Sequence, residues 1–71
     1  MSIGENIKAL RLEKGLTQRQ VANELFMTVQ MLSGIETGIK QPSLNVALAL
    51  ANYYGTTVEA LAGIKQPAER S

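Results

Sequence analysis

Apolar side chains recur along this chain at intervals of three and four residues, and the breaks between them carry helix caps and terminators rather than the paired turn residues of hairpins. The pattern predicts five short helices. Ile3, Ile7 and Leu10 share one face of a first helix over about Gly4 to Lys14, and Gly15 is placed to end it because glycine enters the left-handed region without a Cβ clash. Thr17 opens the second helix. Its hydroxyl caps, Gln20 three residues on completes a capping box, and Val21, Ala22 and Leu25 form the buried stripe.

Thr28 opens the third helix, with Leu32 and Ile35 inward and Gly38 closing it. Only a few residues separate Leu25 from Thr28, so the second and third helices form a helix-turn-helix. After Lys40, Gln41 and Pro42, Ser43 caps a fourth helix in which Leu44, Ala47, Leu48, Ala51 and Tyr54 share a face. Gly55 ends it. Thr57 caps a short fifth helix carrying Val58 and Leu61, which Gly63 ends. The expected organisation is one all-α domain over residues 1–63, followed by a short flexible tail over residues 64–71 that contains Pro67.

Composition narrows the function. A chain of 71 residues makes one small domain, and without Cys or His it lacks disulfides, thiolate zinc sites, a Cys nucleophile and an imidazole base. No enzyme, metal site, cofactor or small-molecule ligand is expected. The longest purely apolar run, Val46 to Ala51, is far below the roughly 18 residues of a membrane span, and no signal region opens the chain, so a soluble cytoplasmic protein is expected. A net charge of +1 neither attracts nor repels a polyanion strongly.

The run Leu10, Arg11, Gly15, Leu16, Thr17, Gln18, Val21, Ala22, Leu25, then Leu32, Ser33, Glu36, Gly38, Pro42, Ser43 and Leu44 resembles the phage repressor and Cro family of regulators, the xenobiotic-response-element family. The resemblance runs from Ile7 to Leu61 and rests on the joint spacing of many residues. It implies a compact five-helix, lambda-repressor-like DNA-binding domain, usually a homodimer on an operator with two half-sites. It also implies a largely buried, architectural ion pair between Arg11 and Glu36.

A major groove about 12 Å wide admits one helix, and the third is the expected reader. Val29, Gln30, Ser33 and Gly34 should face the bases. The Gln30 amide offers a donor and an acceptor together, matching adenine N6 and N7, and Val29 offers a methyl contact to thymine. Gly34 reads nothing by itself and permits close approach. Gln18 matches the family's phosphate-binding glutamine, with Thr17, Asn23, Thr28 and Thr37 as supporting contacts and Arg19 and Lys40 adding charge. Thr17 and Thr28 equally serve as caps, and Arg19 and Lys40 as solubilising charge. Dimer contacts are expected around Tyr53, Val58 and Leu61.

Three departures from the family pattern matter. Phe26 stands where glycine is usual and positive φ is expected, so the turn is either reshaped or strained by about 1 to 2 kcal/mol. Phe26, Met27, Val29 and Met31 crowd apolar groups at the edge meant for DNA; with Met27 turned inward, an exposed Phe26 and Met31 would suit a protein partner. Residues 20 to 39 hold no Lys or Arg, whereas Lys8, Arg11, Lys14 and Arg19 precede them. The expected function is a sequence-specific regulator of transcription, in the simplest case a repressor that excludes polymerase, with modest affinity per subunit and a shallow salt slope. The alternative is a protein-binding or antitoxin-type protein that keeps the fold and uses the surface of Phe26, Val29 and Met31.

Overall fold

Each helix begins where a hydroxyl caps it. Ser2, Thr17, Thr28, Ser43 and Thr57 each accept a hydrogen bond from the backbone N–H three residues on, at 3.0 to 3.2 Å. In the computed structural model, which describes residues 2–63, these caps start α1 (Ile3–Glu13), α2 (Gln18–Glu24), α3 (Val29–Thr37), α4 (Leu44–Tyr54) and α5 (Val58–Leu61). The expected tail over residues 64–71 lies outside the described residues. Among those described there is no strand, and no helix is long and apolar enough to cross a membrane.

Two caps are reciprocal boxes. Thr17 N–H donates to Gln20 Oε1 at 2.8 Å, as the spacing predicts, and Ser2 N–H donates likewise to Glu5 Oε1 at 2.9 Å. The second box starts α1 at Ile3, one residue ahead of the predicted Gly4.

The core joins all five helices. Ile7, Val21, Leu32, Ile35, Leu50, Ala51, Tyr54 and Leu61 form its buried centre, with Ile3, Leu10, Leu16, Leu25, Met27, Met31, Val46, Tyr53 and Val58 packed around it. The fourth helix departs from the predicted face. Its buried side is Ala47, Leu50, Ala51 and Tyr54, while Leu44 is 68% and Leu48 46% exposed. Apolar residues fill every position from Val46 to Ala51, so periodicity alone does not choose the register, and packing against α1 and α5 decides it. Asn6 Nδ2 donates to the Leu61 carbonyl at 2.7 Å and ties α1 to the end of α5.

Tyr54 carries its hydroxyl into this core, where it is buried with no hydrogen-bond partner among the described residues. Burial pushes its pKa up to about 12, and the nearby Glu36 charge adds to the effect.

Helix α2 ends in a Schellman turn: Met27 N–H bonds the Ala22 carbonyl at 2.9 Å and Phe26 N–H the Asn23 carbonyl at 3.3 Å. This geometry puts residue 26 in the left-handed region, and Phe26 sits there at φ 58° with its ring 96% exposed. The turn is thus kept rather than reshaped, and no packing offsets its strain. Phe26→Gly should relieve about 1 to 2 kcal/mol of steric strain at a smaller cost in unfolded-chain entropy. The expected net result is a gain of up to about 1 kcal/mol, read as a higher urea midpoint with an unchanged m-value. A lower midpoint would show that the exposed ring contributes packing not visible in the fold.

Candidate nucleic-acid interface

Helix α3 lies beside α1 and α2, burying Leu32, Ile35 and Glu36 and turning the opposite side outward. That outer side opens on a shallow concavity of about 450 Å³ lined by Gln18, Val29, Gln30, Ser33, Gly34, Thr37, Ile39 and Lys40. All four predicted base-facing residues are therefore neighbours on one surface, and Gln18, Thr37 and Lys40 join them. Thr17, Arg19, Asn23 and Thr28 are exposed but do not line it. Thr17 and Thr28 spend hydroxyl acceptor capacity on capping, and the Thr37 hydroxyl donates back to the Ser33 carbonyl at 3.0 Å and the Gly34 carbonyl at 3.2 Å.

Ile39 lies in this lining and is 82% exposed, yet no sequence signal marked it. It follows the left-handed Gly38 at φ 85°, so its side chain escapes the helical periodicity on which the prediction rests.

Beneath the surface, Arg11 and Glu36 form a two-pronged pair. Arg11 Nε donates to Glu36 Oε2 at 2.8 Å and Nη2 to Oε1 at 3.0 Å, while Nη1 donates to the Leu16 carbonyl at 2.9 Å. The bond to Glu36 raises the Arg11 pKa above its ordinary value against the opposing effect of burial. Gln18 Nε2 donates to Glu36 Oε1 at 3.1 Å. The first residue of α2 is thus anchored to the buried pair, with one amide hydrogen and its carbonyl oxygen remaining for the surface.

Two expectations about apolar surface need correction. Met31 is half-buried and packs on the core beside Ile35, so Phe26, Val29 and Met31 do not form one exposed patch. Leu61 is only 1% exposed, because the short α5 folds back against α1 and α4, and it offers nothing to a second copy. Tyr53 and Val58 are half-buried against the core. The exposed apolar side chains of this end are instead Leu44 and Leu48, on a groove whose lining also includes the half-buried Val58.

Two short helices joined by a tight turn, the second presenting a continuous outer face, define an all-α helix-turn-helix protein. The model of the helix-turn-helix family matches residues 7–61, and the chain belongs to that family, in its repressor-like, xenobiotic-response-element branch. The family is one of regulators, not enzymes. Over 63 residues the chain is 38% identical to the immunity repressor protein of Bacillus phage phi105, covering 89% of this chain and 44% of that protein. It is 38% identical over 61 residues to the HTH-type transcriptional regulator DdrOP3 of Deinococcus deserti, covering 86% and 47%. It is 32% identical over 63 residues to the HTH-type transcriptional regulator ImmR of Bacillus subtilis, covering 89% and 50%. The chain spans about half the length of these relatives.

Proposed function

We propose that this protein binds duplex DNA sequence-specifically and regulates transcription, as a homodimeric repressor that occupies an operator of two half-sites and excludes polymerase. The observation that carries the reading is the outer face of α3, where Gln30 and Ser33 stand beside Val29 and Gly34 on a surface shallow enough for base edges. In this reading Gln30 grips an adenine, Val29 touches a thymine methyl, and Gln18, with Thr17, Arg19, Asn23 and Thr28, holds phosphates; Thr37 joins them only by releasing the hydroxyl hydrogen it donates to its own helix. Repressors and transcriptional regulators among its relatives support it. The groove at Leu44, Leu48 and Val58 is the surface we assign to the second subunit, since exposed leucines at 68% and 46% are costly in water and favour burial.

Selection of duplexes from a random pool, with wild type and Gln30→Ala in parallel, tests the reading. Wild type should enrich a sequence with two half-sites about 34 Å apart, one helical turn. Gln30→Ala should lose about 1 to 3 kcal/mol of discrimination at one A·T pair in each half-site. If wild type enriches nothing, the reading is wrong; if Gln30→Ala keeps the full preference, Gln30 is not the reader.

A further inference from the structure

Gly34 faces the bases in the proposed mode but has no side chain with which to read them. The structure shows what occupies its place. A β-carbon built on Gly34 would lie 3.1 Å from both Cγ and Cδ of Lys40 and 3.5 Å from its Cβ. The two 3.1 Å distances are tighter than ordinary van der Waals contact, so the Lys40 stem lies across α3 in the space a residue-34 side chain would take. Its backbone is fixed there too. Lys40 N–H donates to the Gly34 carbonyl at 3.0 Å, and the Thr37 hydroxyl donates to the same oxygen. From Cδ the ammonium is two single bonds away, each roughly 1.5 Å, so the charge stays within about 3 Å of the part of the stem that fills the residue-34 side-chain space. Among the described residues it enters no ion pair or hydrogen bond.

We infer that Lys40 is a base-reading residue rather than a phosphate contact, and that Gly34 is the gap that lets it read. A lysine ammonium is a donor only and matches the paired acceptors O6 and N7 that guanine alone presents in the major groove. The half-site therefore contains a G·C pair beside the adenine read by Gln30. This rests on the α3 face being the DNA-binding face. Residues 20–39 hold no Lys or Arg, so Lys40 is the cation that this stretch lacks, delivered from the loop after α3.

The test uses the 71-residue chain and duplexes selected by the wild type, each with one base pair changed. Lys40→Met keeps the alkyl stem and removes the charge; Gly34→Val fills the gap and moves the stem away. Both positions are accessible, and circular dichroism checks that both variants fold. Wild type should lose about tenfold in affinity when one particular G·C pair in each half-site becomes A·T, or when its guanine becomes 7-deazaguanine. In Lys40→Met and in Gly34→Val that loss should vanish at the same pair while the adenine preference persists, and the double variant should be no worse than either single one. If Lys40→Met instead weakens every duplex equally, keeps the base profile and lowers the salt slope by about 0.9, Lys40 is a phosphate contact and the inference is wrong. If the wild type selects no sequence at all, the proposed function fails first and takes the inference with it.

Discussion

Gly4→Ala should destabilise the protein by about 3 kcal/mol, although the same change in an exposed helix interior would add about 1 kcal/mol of helix propensity. The reason is where α1 crosses α3. A β-carbon at residue 4 would lie 2.9 Å from the Glu36 carbonyl oxygen and closer still to that of Ile35. Both are backbone atoms, so relief requires moving one helix off the other rather than turning a side chain. The shift would also spread the Arg11–Glu36 pair, which joins the same two helices. For a domain of this size the melting temperature should fall by roughly 10 °C or more. A melting temperature equal to or above wild type would mean that the two helices do not approach this closely.

Glu36→Ala should cost still more, about 3 to 5 kcal/mol, out of a total stability of roughly 4 to 10 kcal/mol for a chain of this length. Three donors converge on the Glu36 carboxylate: Arg11 Nε, Arg11 Nη2 and Gln18 Nε2. Removing it leaves a buried guanidinium without its counter-charge. Arg11→Met together with Glu36→Leu should recover most of the loss, because an apolar pair of similar volume carries no desolvation penalty. Urea unfolding of Arg11→Met, Glu36→Leu and the variant that combines them measures this directly. Additive losses would refute the coupling. Since Gln18 is tied to the same carboxylate, even a folded Glu36 variant should bind DNA more weakly and without a change in base preference.

What the sequence showed and what it hid divide along one physical line. Features decided within a few residues were legible, such as the hydroxyl caps at Thr17, Thr28, Ser43 and Thr57, whereas positive φ at Phe26 was expected only from the family pattern, which left a kept or a reshaped turn open. Features decided by contacts between distant segments were not. The crossing at Gly4 depends on the Ile35 and Glu36 carbonyls, the face of α4 was chosen by its neighbours and not by its own nearly all-apolar centre, and Leu61 was taken up by the core. Arg11 and Glu36 are 25 residues apart, and only the family resemblance suggested that they meet. On the outer face of α3, spacing grouped Val29, Gln30, Ser33 and Gly34. It did not foresee Ile39 or the Lys40 stem over Gly34, because both come from the loop beyond the helix, where periodicity ends.

The near-neutral charge takes on a specific meaning in this fold. One of the few cations, Arg11, is neutralised by Glu36, and the α3 segment has none, so the proposed DNA binding would depend on amides, hydroxyls and Lys40 more than on bulk attraction. Specificity should then outweigh non-specific affinity, since the latter is mostly phosphate neutralisation.

The most direct measurement is an equilibrium competition between the wild-type-selected duplex and a shuffled duplex of the same composition, titrated over salt. The selected duplex should win by on the order of 10³, with a shallow salt slope and with much of that margin lost in Gln30→Ala. Equal affinity for the two duplexes at every salt concentration would contradict sequence-specific recognition by α3.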